Sequence, residues 1–96
     1  MEVDLEAYMK RVSARLRNWR SDYQDIKARA GEVRAQNELE FARQLDLLEA
    51  KLHLAQEKLD AIRGATSRDR HALKVSIDAM CNEIENALDS AWAKLG

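Results

Sequence analysis

Few side chains in this chain could do chemistry. Glu49, His53 and Glu57 stand four residues apart, so on a helix they share one face. Two carboxylates and an imidazole are a reasonable ligand set for a divalent ion. Metal sites inside helical bundles, however, use Glu-x-x-His on two helices with further inward glutamates. Here Glu-x-x-x-His occurs once, beside the stripe of Leu48 and Leu52. The spacing therefore predicts helix-surface pairs and no metal ligand. His71 has no cysteine or carboxylate at ligand spacing and is expected to be structural or solvated.

Cys81 is the single cysteine, which leaves no partner for an internal disulfide and no cluster for a metal. It sits at the edge of an apolar stripe, and Glu83 and Glu85 nearby oppose the thiolate that redox chemistry needs. A partly buried, inert thiol is expected. Ser13, Ser67, Ser76 and Ser90 lack a nucleophile elbow and a base at fixed spacing. No glycine loop is present to cradle a phosphate. These residues predict neither an enzyme nor a cofactor.

Charge offers one more candidate. Lys10, Arg11, Arg15, Arg17 and Arg20 fall within residues 10–20 without an acid between them, a possible basic interaction patch for nucleic acid or phospholipid. Residues 76–90 answer with Asp78, Glu83, Glu85 and Asp89 and no base. If the segments carrying these runs lie parallel, the two charges sit at similar heights and complement each other. The net charge of −1 gives no global pull toward nucleic acid or anionic lipid.

The elements that must position these groups are helices. Proline is absent and glycine occurs three times in 96 residues, with Ala, Glu, Lys, Leu and Arg dominant, the profile of long helices and coiled coils. A single domain over residues 1–96 is expected. Apolar residues recur at steps of four and three: Leu5, Met9, Val12, Leu16, Trp19, Tyr23, Ile26, Ala30 and Val33, then Phe41, Leu45, Leu48, Leu52, Ala55, Leu59 and Ile62. Such steps make a helical seam. Leu47, Leu54 and Ala61 flank the second stripe at seven-residue steps, and a face so widened is expected to touch two neighbours. Trp19, Tyr23, Phe41 and Trp92 lie on or beside the seams and are expected in the core.

"IRGATSRDR" at residues 62–70 interrupts the pattern. Gly64 suits a left-handed helix end, and Thr66 with Asp69 has capping-box spacing. The third stripe, Leu73, Ile77, Met80, Ile84, Leu88, Ala91 and Leu95, repeats after eleven residues, which predicts a nearly straight helix.

"KARAGEVRAQNELE" at residues 27–40 admits two readings. Gly31 can end the first helix and Asn37 with Glu40 can cap the second. One glycine inside a helix costs only about 1 kcal/mol, however, and Ala30, Arg34, Asn37 and Phe41 continue the rhythm. The fold expected is all-α, an antiparallel coiled-coil-like three-helix bundle in one of two forms. It is closed in one chain, or a long helix over about residues 4–62 with a back-folded helix over about 67–95 assembles as a swapped dimer. Gly31 is then the possible dimer crossing point.

The order of these features resembles a family of small bacterial coiled-coil stress-response proteins known from cyanobacteria and proteobacteria. The matching places are Trp19, Ile26-Lys27-Ala28-Arg29-Ala30, Phe41, Gln44, Ala55-Gln56-Glu57-Lys58-Leu59, Ala65, Leu73-Lys74 and Ala91-Trp92-Ala93-Lys94-Leu95. The chain departs from the family at "SRDRHALK", where the family has a tryptophan, and at Gly31, where alanine or a charged residue is usual. The resemblance implies a cytosolic helical protein linked to stress and carries over no catalytic residue.

Strong patterning without site chemistry predicts a non-catalytic helical scaffold or interaction protein acting through protein–protein contacts, with a homodimer and a further protein partner. An amphipathic lipid- or granule-surface protein is the first alternative and weak nucleic-acid binding through residues 10–20 the second. The acidic start "MEVDLEAYMK" has no apolar signal core, no stretch approaches the ~18 apolar residues of a membrane span, and the lone cysteine suits a reducing compartment, so a cytoplasmic setting is expected.

Overall fold

A computed structural model describes residues 2–95, with side chains from Asp4 onward. Three helices carry the chain: α1 over Glu2–Ala28, α2 over Glu38–Ile62 and α3 over Ser67–Ala93. They pack up-down-up into a closed three-helix bundle whose long dimension is 50 Å against 18 and 15 Å across.

Their registers can be read from cross-helix contacts. Tyr8 reaches Asp78 and Arg15 reaches Glu85, so α1 and α3 run parallel with a constant offset. Lys51 meets Glu83 and Glu40 meets Lys94, so α2 runs antiparallel to α3. The apolar stripes line the shared interior. On α2 the buried residues are Phe41, Leu45, Leu48, Leu52, Ala55, Leu59 and Ile62, the whole predicted seam. On α1 the seam is Leu5, Val12, Leu16, Trp19, Tyr23 and Ile26, and Met9 packs at its margin. On α3 it is Ile77, Met80, Ile84, Leu88 and Ala91, joined by Cys81, with Leu73 and Leu95 partly buried at the two ends.

The chain turns at the first ambiguous segment. Two short 3-10 turns, Ala30–Glu32 and Ala35–Asn37, flank Val33 and Arg34. Those two residues are extended, with ψ of 139° and 143°. Glycine does not cause the reversal. Gly31 has no positive φ, and a Cβ placed on it would meet nothing within 4 Å. The anchor is Val33, which leaves the helical path yet stays in the core at 5 % exposure. Backbone bonds from Val33 N–H to Ala30 O (3.2 Å) and from Asn37 N–H to Arg34 O (2.8 Å) close the two turns. The Arg29 guanidinium grips the Glu32 carboxylate at 2.8 and 3.0 Å. Arg34 is exposed, so the closed form spares the core the polar residues that a continuous seam would have carried through it. Asn37 precedes α2, but its side chain makes no capping bond.

The second turn has a different chemistry from the one its glycine suggests. Gly64 also lacks a positive φ, so no left-handed cap forms. The last carbonyls of α2 are satisfied instead by Arg70, whose Nε donates to Ile62 O (3.3 Å) and Nη2 to Arg63 O (3.0 Å). Thr66 does cap α3, its Oγ1 accepting from Asp69 N–H at 3.2 Å. Thr66→Ala is expected to cost about 1 kcal/mol. Thermal unfolding followed by circular dichroism reads that loss, and Thr66→Ser, which keeps the acceptor, should recover most of it.

Candidate functional site

The predicted chemical groups are dispersed by the bundle. His53 Nε2 meets Glu57 Oε1 at 2.8 Å on the outer face of α2, while Glu49 turns toward the Tyr23 hydroxyl on α1. Among the described residues no group of three or more His, Cys, Asp or Glu side chains is arranged to hold a metal ion. His71 is exposed at the start of α3, in an open hollow with Asp4, Ser67, Arg70 and Lys74.

The basic run does not form one patch. Arg15 turns toward α3, where its guanidinium lies 3.7 Å from Glu85 and 4.7 Å over the Trp19 ring. Arg20 turns the other way and donates to Gln56 Oε1 on α2 at 2.6 Å. Lys10, Arg11 and Arg17 are exposed on α1. The acidic run is likewise shared out: Asp78 accepts from Tyr8 at 2.9 Å, Glu85 faces Arg15, and Glu83 leaves α1 altogether for Lys51 on α2. Among the described residues the two parallel runs thus meet at one point, Arg15–Glu85, and Tyr8, which precedes the basic run, takes Asp78. Such exposed contacts select register more than they stabilise, at about 0–1 kcal/mol each.

Tyr8 was outside the predicted stripe yet is 8 % exposed. The signal for it is its place three residues after Leu5 and four before Val12, which only a third helix can cover. Its hydroxyl donates to Asp78 Oδ1 and, more weakly, to Lys74 O at 3.3 Å. Burial, then the hydrogen bond and charge of Asp78, push its ionisation well above the usual 10.0. Burial also raises Tyr23, seconded by Glu49. Cys81, at 1 % exposure, is raised above its usual 9.0 chiefly by burial, against an opposing Arg15 and with help from Asp78 and Glu85. The thiol is more deeply buried than the sequence suggested, and Asp78 stands in the place expected of Glu83.

These three shifts set an alkaline limit. Each group is held protonated in the fold, so its contribution is complete below its ordinary value and is lost as pH rises toward its folded value. The thermal midpoint should be flat from about pH 7 to 8.5 and fall above about pH 9–10. The chain has only two tyrosines, both raised, so native absorbance at 295 nm should show well under half of the tyrosine ionised at pH 10, where a free phenol is half ionised. Half-ionised tyrosine in the native state at that pH would contradict the buried geometry.

The large apolar side chains left on the surface come from two of the three helices. Among the described residues the large exposed hydrophobics are Leu39, Leu47, Leu54 and Val75, at 66, 59, 45 and 57 % exposure. All four belong to α2 and α3, and none to α1. Leu47 lines the α2 wall of the outer α2–α3 groove at one level and Ala61 at another, and Leu54 stands between them on the same helix face at seven-residue steps. Lys51 and Asn86, Ala87 and Ser90 lie beside Leu47, and Ala61 faces Ala72 and Ser76 farther along. The groove also holds Gln44, whose Oε1 is the one buried side-chain polar atom without a hydrogen-bond partner among the described residues. As the width of its apolar face implied, α2 touches two neighbours, α1 and α3, but the flanking leucines are not what makes those contacts. The seam alone serves α1 and α3, and the flanking leucines are left facing outward.

Comparison with known proteins gives no further guide to this surface: no family model matches the chain, and neither a curated protein nor a solved structure matches it. Among the described residues no helix is long and apolar enough to cross a membrane.

Proposed function

We propose that this chain is a non-catalytic helical interaction module that works through protein–protein contacts on the outer α2–α3 face. The observation that carries the reading is the line of Leu47 and Leu54 along α2, exposed at 59 and 45 %, beside a groove whose walls set small side chains such as Ala61, Ala72 and Ala87 among charged and polar ones. Isolated exposed leucines are ordinary, but aligned ones along a groove mark a contact surface. The outward surface of α1 is the contrast, with Lys10, Arg11, Arg17, Asn18 and Asp25 all exposed. The stress-linked setting implied by the resemblance belongs to the same proposal. A lipid-surface role ranks below it, because Trp19, Tyr8, Tyr23 and Phe41 are spent in the core, whereas interface-binding helices present their aromatics outward.

The test is photo-crosslinking in the native cell. A benzophenone side chain replacing Leu54 should give discrete protein adducts, and one replacing Ala14 on the outer face of α1 should give few. Adducts of equal yield from the two positions, or none from position 54, would remove the reading.

A further inference from the structure

We infer that the occupant of the α2–α3 face is a second copy of this chain, related by a two-fold axis that runs along the bundle. The inference rests on the interaction reading above and adds the partner and its orientation.

The argument is one of size and charge at each level of the groove. Lys51–Glu83 and Glu40–Lys94 fix which residues of α2 and α3 lie at the same height. On that register Leu47 stands level with Ala87, Leu54 with Met80 and Ala61 with Leu73, and the exposed α3 residues one position before these are Asn86, Ala79 and Ala72. The α2 wall is therefore large at the two levels where the α3 wall is small or narrow. A two-fold axis along the bundle lays the α2 wall of one copy over the α3 wall of the other at the same heights. Leu54 then seats on the partner's Ala79 and Leu47 beside the partner's Asn86, twice each by symmetry. Large side chains meet small ones, the condition for dense packing.

The charges agree with the same axis. Lys51 and Glu83 are the charges that meet across the groove midway along it, 3.5 Å apart. The axis brings Lys51 of one copy to the height of the partner's Glu83, so two intrachain pairs become an alternating cluster of four. A perpendicular two-fold axis does the reverse. It lays α2 on the partner's α2, with leucine against leucine and lysine near lysine, and leaves a gap between the two small α3 walls. Like charges so placed are destabilising. The bundle outline of 50 by 18 Å offers a face of the size that a standard interface uses, about 800 Å² per partner.

Light scattering on a size-exclusion column, from micromolar to millimolar protein, should show the 11.0 kDa chain passing to a species of twice that mass. Leu54→Lys should keep the chain monomeric over the same range while its thermal midpoint stays within a few degrees of the parent. Orientation is read by pulsed electron resonance on a nitroxide at Gly64→Cys in a Cys81→Ser background. Residue 64 lies at one end of the bundle, so the axial two-fold predicts a label separation well under the 50 Å bundle length. A separation near that length means an antiparallel pair and overturns the axis. A dimer that survives Leu54→Lys overturns the surface. A strict monomer at every concentration, with position 54 still crosslinking another protein in the cell, overturns the self-pairing and leaves the interaction reading standing. No adduct from position 54 at all ends both.

Discussion

Leu16→Ala is expected to lower stability by about 2–5 kcal/mol, a large share of the roughly 5–15 kcal/mol available to a domain. Leu16 is 0 % exposed. The parallel register of α1 and α3 sets it level with the stretch between Ile84 and Leu88, and the Arg20–Gln56 contact sets it near Ala55 and Leu59 of α2. All three helices converge there, so removing three carbons opens a void that no single side chain can relax into. The midpoint of thermal unfolding should fall by roughly 10–30 °C for a chain of this size. Leu54→Ala is the matched control, because at 45 % exposure it gives up little buried area in the single chain, and its cost should stay below about 1 kcal/mol. Circular dichroism melts at low concentration, where only the monomer contributes, decide the matter. Equal losses at positions 16 and 54 would mean that the core does not lie where the stripes converge.

The second large effect is expected at Val33. Its side chain pins the α1–α2 turn at 5 % exposure, while Gly31 beside it is unconstrained. Val33→Glu replaces burial worth about 1.5–3 kcal/mol with a carboxylate that must leave the core. In a continuous helix the same glutamate is four residues from Arg29, at helix-pairing distance. The closed and the swapped forms share their helix contacts, so a few kcal/mol at the hinge is enough to move the balance. Small-angle scattering should show a species about 90 Å long, the length of one helix over residues 4–62 at 1.5 Å per residue, in place of the 50 Å bundle. A Leu54→Lys background keeps face pairing from complicating the mass. Gly31→Ala alone should leave the 50 Å monomer intact. If Val33→Glu stays compact and fully stable, the pin lies elsewhere in the turn.

Much of this protein is determined locally. The seven buried residues of α2 are the seam that its sequence spells out, the α2–α3 break falls where "IRGATSRDR" interrupts the rhythm, and Thr66 caps α3 with the spacing that predicts it. Periodicity, capping and turn composition act within a few residues, so one sequence suffices to read them. The chemistry of the surface follows the same rule for His53 and Glu57, neighbours on one helix.

Other features were settled only when three helices met. At residues 29–37 helix and turn differ locally by about 1 kcal/mol, and the choice rests on Val33 finding the core and on α3 covering α1 within the same chain. Tyr8 and Cys81 are buried because a third helix closes over positions that a two-helix seam leaves at its edge. Arg70 ends α2 because α3 starts close enough for its guanidinium to reach Ile62 O and Arg63 O. Leu47 and Leu54 look outward because the seam already meets both neighbours. A stripe gives the direction in which a helix prefers to bury itself. How many neighbours arrive, and on which side, depends on long-range packing that no local pattern encodes.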